Sequence, residues 1–392
     1  MINNNVVTGA TAVIVGLGIN GLGIVRALND KNIALFKIDS NESRPGAQSR
    51  YGHFIKFLSL NGLEFINELQ QFLKTFKFPP VLFLTEEDTI RAVSKYRAEI
   101  ENLCCIVLPE HCLLDALMSK QGFDFLAEKH GLTKPKTLSI KSKLNLDAAE
   151  HFSFPCVLKP GAKSSIYGNK FKKAYKCNSL EEVAEICDEI LPVYPNMVLQ
   201  EWIKGSDQDL YFCLQYLNAE GKLMSSFSGK KLRCWPPSVG GTASCMPARE
   251  FHEELSEITY NFFLKTGFVG MGSMEYKRDP STGAFYAVEP TVARTDFQHE
   301  VAVLNGVNIP LIAFKSLTGQ KISKCNYQND IAWLDTTTEK WSAQKTQIPD
   351  EQIYSNVKKM SALFRWSDPM PWLYSFIKRV RQKFSSLLPA NA

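Results

Sequence analysis

The segment MEYKRDPSTGAFYAVEP (274–290) constrains this chain more than any other stretch. Two apolar runs flank a cluster of turn-forming residues, which predicts an antiparallel hairpin turning at Asp279–Gly283. Asp279 stands four positions after Glu275, and Glu289 six positions after Gly283. The two glutamates therefore fall near cross-strand positions, roughly 5 Å apart at Cβ if they pair directly. Carboxylates that close repel each other unless a cation or a proton lies between them. Mg²⁺ suits such a pair, because it binds through one or two carboxylates together with substrate phosphates. The plainer alternative is that one glutamate points to solvent, but both sit in otherwise apolar strands, GMGSMEY and AFYAVEP.

Three further segments precede the hairpin. In FPCVLKP (154–160), Lys159 ends an apolar strand. A lysine there either snorkels to water or needs a counter-charge, and a phosphate is a good one. GAKSS (161–165) supplies backbone N–H groups and the hydroxyls of Ser164 and Ser165 on a turn that can wrap over phosphates. VLQEWIKGSDQDL (198–210) reads as a strand running into a linker, with backbone groups available to a nucleotide base. Asp209 then stands where it could accept from ribose hydroxyls, or simply be solvated at a strand start.

The rest of the chain supplies the scaffold. A length of 392 residues predicts two or three domains. Residues 12–16 read as a buried strand opening through Gly16-x-Gly18-x-x-Gly21 into a helix, and NIALFKIDS (32–40) as a second strand ending in Asp39. FIKFLS, PVLFLT and CCIVLP continue the alternation, so residues 1–110 predict a doubly wound α/β domain. Alone, the glycines and Asp39 would suit a dinucleotide. A helix over LLDALMSKQGFDFLAEKHG opens a small α/β subdomain over 111–197, and residues 198–325 read as strand-rich. Residues 326–392 are less regular and close on an amphipathic basic helix.

Composition excludes several classes. Apolar and charged fractions of 45% and 22% are those of a globular protein. The net charge of +5 is small for this length and gives no case for a nucleic-acid partner. The ten Cys lack CxxC spacing and predict buried thiols in a reducing compartment. MINNNVVTGA lacks the basic and apolar regions of a signal peptide, so the expected location is cytoplasmic. No His grouping of metalloprotease or triad type occurs, and His299 is expected to be structural.

The order and spacing of these segments resembles the ATP-grasp superfamily over roughly residues 10–325. The wording EPTVARTDFQHEVAVLNGVNIP resembles a carboxylate–amine ligase-like branch, similar to the ATP-grasp domains of carbamoyl-phosphate synthase and D-aspartate ligase. The resemblance implies an α/β ATP-grasp fold: an N-terminal Rossmann-like preATP-grasp domain, a small α/β lid subdomain and a larger β-rich subdomain, with ATP between the last two. It implies that Lys120 and Lys159 contact ATP phosphates and that GAKSS, with Ser164 and Ser165, forms the mobile loop. Gln200, Glu201, Trp202 and Ile203 would form the adenine hinge, and Asp209 the ribose contact. Lys231 would face the phosphates, and Glu275 and Glu289 would hold Mg²⁺. The family's Glu-x-Asn-Pro-Arg is replaced here by Glu289-Pro290-Thr291-Val292-Ala293-Arg294. Thr291 thus stands where Asn would ligate a second metal, and Arg294 is displaced by one position. PreATP-grasp domains share the strand–glycine turn–helix geometry and often contribute to the acceptor-substrate site.

The implied activity is an ATP-dependent ligation of a carboxylate to an amine through an acylphosphate, releasing ADP and phosphate. Lys231 and Arg294 are the expected catalytic pair, with ATP and Mg²⁺ as cofactors and small acids and amines as partners. The rival readings are an NAD-dependent oxidoreductase using the N-terminal glycines, a non-catalytic ATP-binding protein and a kinase-like phosphotransferase. In the tail, Leu373, Phe376, Ile377, Val380, Phe384 and Leu387 recur at helical spacing among Lys378, Arg379, Arg381 and Lys383. Such a helix either docks on the protein or makes a weak membrane-surface contact.

Overall fold

The computed structural model describes residues 10–30, 32–161, 165–294, 296–323 and 325–385, without the side chains of residues 165 and 382–385. The N-terminal unit runs β1 (Thr11–Val15), α1 (Ile19–Ala27), β2 (Ala34–Asp39), β3 (His53–Lys56), α2 (Gly62–Leu73), β4 (Val81–Leu84) and α3 (Glu87–Lys95). Its four strands are parallel in the order β3-β2-β1-β4, as strand–helix alternation predicts. The expected strand at CCIVLP is reduced to one bridge between Val81 and Cys105. Arg97 Nη2 donates to the carbonyls of Leu108 and Pro109 (3.1 and 2.7 Å), which therefore do not extend a ladder.

The glycine turn is closed by its own backbone. Gly16 takes a φ of +87°, which favours glycine. A Cβ on Gly21 would lie 2.0 Å from the Gly16 carbonyl oxygen, so the helix start requires glycine. Asp39, buried, accepts from Leu17 N–H (2.7 Å) and Asn41 N–H (2.9 Å). Each carboxylate oxygen thus holds one backbone donor, which ties Asp39 to the turns on either side of it.

The predicted single helix after residue 111 is two, α4 (His111–Met118) and α5 (Lys120–Lys129). Ser119 breaks it: its backbone is extended and its hydroxyl accepts from Gly122 N–H at 3.0 Å, an N-cap that starts a new helix. Lys120 is consequently the first residue of α5. The small subdomain continues with β5 (Thr137–Ile140), a 3₁₀ segment over Lys143–His151, β6 (Cys156–Pro160), α6 (Ser165–Gly168), β7 (Tyr175–Cys177), α7 (Leu180–Ile190) and β8 (Met197–Glu201). Its antiparallel sheet, ordered β5-β8-β6-β7, packs Cys156, Leu158 and Leu199 against Val183 and Cys187 of α7.

The large sheet begins with β9 (Leu210–Leu217), β10 (Leu223–Trp235) and β11 (Gly241–Pro247), and after α8 (His252–Thr266) adds the hairpin β12 (Gly270–Arg278) and β13 (Phe285–Val292). Then follow α9 (Glu300–Leu304), α10 (Ile309–Leu317), β14 (Ile331–Leu334), α11 (Thr336–Thr346), α12 (Asp350–Ile353), β15 (Lys358–Ser361) and α13 (Met370–Ser385). The strand order is β13-β12-β9-β10-β11-β14-β15. The expected division at residue 325 therefore falls inside one sheet, since β14 and β15 extend it.

Alternation gives this sheet two working faces. Tyr211, Cys213, Met274 and Tyr276 pack on Phe262 and Phe263 of α8. Phe212, Leu214 and Tyr216 pack on α10 and reach a core that includes Ile14 of β1 and Ile24 of α1. The N-terminal unit and the large sheet thus share one core. Among the described residues, no helix is long and apolar enough to cross a membrane.

Candidate active site

The hairpin fixes the first two groups. Glu275 of β12 and Glu289 of β13 are direct cross-strand partners, with Ser273 opposite Thr291 one step along the same face. A bulge between Glu275 and Tyr276 follows, so the glutamate pair stands at a shift of register, beyond which the ladder resumes with Tyr276 opposite Ala287. On the other side of Glu275 lies β9, and beyond it β10, which carries Lys231. The lysine, only 2% exposed, reaches over β9 to place Nζ 2.6 Å from Glu275 Oε2.

Lysines from elsewhere converge on the second glutamate. Glu289 is solvent-accessible within a cleft but crowded by protein. Burial opposes its charge, yet Lys159, Lys173, Lys120 and Lys231 together hold its carboxyl below the usual range. Glu275 behaves oppositely: burial pushes it up, Lys231 opposes this, and the Glu289 charge adds to the push. The Lys159 ammonium is pushed down by burial, against the pull of Glu289 and Glu275. Its Nζ donates to Gln200 Oε1 (2.8 Å), and Gln200 Nε2 lies 3.3 Å from Thr137 Oγ1. Lys120 Nζ donates to the Pro160 carbonyl, joining α5 to the end of β6.

These groups border a cavity of about 1050 Å³. Lys120, Lys159, Gln200, Glu289, Thr291 and Arg294 line it, with Val198 and Val292 supplying apolar wall. Lys231 and Glu275 sit behind Glu289. The chain reverses beyond β13 at Ala293, whose φ of +61° is unusual for a residue with a side chain. That turn brings Arg294 to the cavity, with Nη2 3.3 Å from Glu87 Oε1 and Nη1 3.9 Å from Asp296 Oδ1. Arg294 Nε is buried without a hydrogen-bond partner among the described residues.

Of the expected adenine and ribose segment, Gln200 lines the cavity. Trp202 lies under Lys176, whose Nζ is 4.7 Å from the ring centroid. Glu201 Oε2 accepts from Lys136 N–H at 3.4 Å, and Ile203 follows β8 in irregular chain. Asp209 turns its carboxylate on Ser206, accepting from the backbone N–H (2.7 Å) and from Oγ (3.0 Å). None of these four lines the cavity. Ser164 and the Ser165 side chain lie outside the described residues.

Sequence reasoning passed over the far wall. Glu87, Asp88 and Arg91 of α3 line the cavity from the N-terminal unit. Glu87 and Asp88 stand in the first turn of α3, where acidic residues are common, so nothing in the sequence singles them out. Lys134, 2.6 Å from Asp124 of α5, lines the cavity from the small subdomain. Lys173 could have been found from the basic run KFKKAYK (170–176).

The donor set can be tested for a divalent cation and a nucleotide. Among the described residues, no group of three or more His, Cys, Asp or Glu gathers as a metal cage. Two facing carboxylates backed by ammonium groups are instead what Mg²⁺ on a polyphosphate requires, with phosphate and water filling the other positions. The cavity is large enough for a nucleotide and an acceptor. The residues fit the group.

No protein-family model matches the chain. A curated D-aspartate ligase of Enterococcus faecium (strain Aus0004) is 24% identical over 230 residues, covering 55% of this chain and 53% of that protein. The chain thus spans about half the length of the curated relative it matches. Solved structures align more widely. An N5-carboxyaminoimidazole synthetase from Staphylococcus aureus aligns with a TM-score of 0.66 at 14% identity, covering 88% of both chains. An N5-carboxyaminoimidazole ribonucleotide synthetase in complex with ADP gives 0.65 at 15%, covering 83% and 81%. The biotin carboxylase domain of Hydrogenobacter thermophilus 2-oxoglutarate carboxylase, with MgADP and bicarbonate, gives 0.64 at 12%, covering 82% and 73%. The three-part α/β architecture agrees with the sequence resemblance, and these alignments show that the chain shares the fold of these synthetases and of the biotin carboxylase domain.

Proposed function

We propose that this chain is an ATP-dependent carboxylate–amine ligase. One observation carries the reading: Lys120, Lys159, Lys173 and Lys231, from separate elements, all act on Glu289, the direct partner of Glu275. Four ammonium groups around a carboxylate pair is a large local excess of positive charge. A polyphosphate bridged to the carboxylates by Mg²⁺ would balance it. The MgADP complex of the biotin carboxylase relative supports the same assignment.

In this reading Glu275 and Glu289 hold Mg²⁺, which supplies charge neutralisation at the phosphate oxygens. Lys120 and Lys159 bind phosphate from the lid side, and Lys231 keeps Glu275 ionised and placed. Thr291, on the face of Glu289, offers a hydroxyl oxygen beside the pair. Arg294 orients the acid with its guanidinium fork. A carboxylate oxygen of the substrate attacks the terminal phosphorus of ATP; the new O–P bond forms as the bond to the bridging oxygen breaks and ADP leaves. The lone pair of a neutral amine then attacks the acyl carbon. The carbon–oxygen bond breaks, phosphate leaves, and the nitrogen loses a proton to solvent. Positioning and charge neutralisation carry the first step.

The test is ADP release by the purified chain across a matrix of acids and amines, with and without Mg²⁺. Ligation predicts ADP and phosphate in equal amounts, dependent on both substrates. A stable phosphorylated product formed without amine would make the chain a kinase. NADH binding without ATP binding would overturn the reading.

A further inference from the structure

Helix α13 starts inside the body and leaves it. Pro371 is buried, and Tyr374 Oη lies 3.1 Å from Ser43 Oγ of the N-terminal unit. From Phe376 to Arg381 every side chain is exposed. Leu373, Phe376, Ile377 and Val380 recur at i, i+3, i+4 and i+7, so they share one face. Phe376 is 48% exposed, and Trp366, just before the helix, 89%. An aromatic ladder ties the two together: Phe364 meets Trp366 and Trp372 edge-on at 5.0 and 5.6 Å, and Trp372 stacks on Phe376 at 5.5 Å. Single exposed apolar side chains are ordinary; a continuous stripe ending in an exposed tryptophan marks a contact surface.

Charge identifies the occupant. Residues 369–392 contain no Asp and no Glu, whereas Arg379 and Arg381 flank the apolar stripe and Lys378 lies on the opposite face of the helix. A second copy of the chain, packing the same face on itself, would set these like charges against each other. An anionic lipid surface accepts the aromatic and aliphatic side chains in its interface and the cations at its headgroups. Tryptophan at the edge of the stripe suits the same boundary. We propose that the Trp366–α13 face docks the protein on an anionic lipid surface, with the helix lying in the interfacial plane. This inference is independent of the ligase reading.

The test is co-sedimentation of the full chain with vesicles of phosphatidylcholine alone and of phosphatidylcholine mixed with phosphatidylserine. The wild type should pellet with the mixed vesicles and release at high salt. Replacing Arg379 and Arg381 with Gln should weaken binding about fivefold for each charge at low salt. The double variant Phe376→Glu/Val380→Glu should weaken it by about tenfold or more. Unchanged circular dichroism and melting would show that these exposed changes leave the body folded. Absence of binding to mixed vesicles, or binding indifferent to Phe376→Glu/Val380→Glu, overturns the proposal. So does a dimer in sedimentation equilibrium that this variant dissolves while vesicles pellet no protein, which would assign the face to a second copy.

Discussion

Lys231 and Glu275 meet across an intervening strand, Nζ to Oε2 at 2.6 Å, and the lysine has almost no contact with water. Removing one partner of such a pair costs more than removing both, because it strands a charge. Lys231→Met should destabilise the chain by about 3–5 kcal/mol in urea denaturation. Adding Glu275→Gln should restore part of that loss. Sign follows from burial: without the lysine, the Glu275 carboxyl moves further above its unfolded value. The folded state then binds the proton more readily, and the deficit should shrink as pH falls into the carboxylate range. A Lys231→Met variant as stable as wild type at neutral pH would show that the pair contributes nothing.

Glu289 calls for the opposite result. It is solvent-accessible and held ionised by surrounding lysines, so Glu289→Gln removes a charge without opening a cavity. Thermal melting should stay within about 2 °C of wild type. Mg²⁺-dependent ADP formation should fall by about a hundredfold or more, the scale of several kcal/mol of lost phosphate neutralisation. Near-normal turnover would remove Glu289 from the site.

Local chemistry made much of this legible in the sequence. The Asp279–Gly283 turn and apolar flanks set the register that opposes Glu275 to Glu289, and period-two alternation put both on one face. Strand–helix alternation likewise announced the parallel sheet. What stayed hidden depends on tertiary placement. Glu87 and Asp88 gain meaning only once the N-terminal unit is seen to wall the cavity. For Asp209, sequence cannot show that one carboxylate oxygen already caps Ser206 three residues back. The strands β14 and β15 were missed because four-residue strands at a sheet edge carry too few alternations to stand out.

His299 should give the protein an acid weakness. It is 1% exposed, packs where a Cβ on Gly23 would lie 2.6 Å from its Nε2, and finds no hydrogen-bond partner among the described residues for either ring nitrogen. Burial pushes its pKa from 6.5 down to about 3. Between those values the unfolded chain binds a proton that the folded chain refuses, so stability is complete above the unfolded value and falls as pH drops. The contribution lost between about pH 7 and pH 4.5 is about 2–3 kcal/mol. Urea midpoints at both pH values should show a distinctly smaller acid loss in His299→Phe than in wild type. Equal losses would mean that His299 is protonated in the folded state.

The segment after β15 should prove integral to the fold. Asp368 is fully buried and accepts from Arg26 Nε (3.1 Å), Ser49 Oγ (2.9 Å) and Arg50 N–H (2.9 Å). Arg26 also donates to the carbonyls of Ala362 and Leu363 at 2.7 and 2.8 Å. One carboxylate and one guanidinium thus fasten residues 362–368 to the N-terminal unit. Asp368→Ala leaves Arg26 with Glu300 at 3.6 Å as its remaining acidic partner, and Arg365 already sits 2.9 Å from that glutamate. The variant should lose about 3–5 kcal/mol in urea denaturation. Hydrogen exchange should accelerate in both partners, residues 43–51 and 362–374, because the contact that breaks is shared. Asp368→Asn keeps one of the two accepting oxygens but not the charge, so its loss should be intermediate. Faster exchange in residues 362–374 alone would mean that the N-terminal unit does not depend on the clamp.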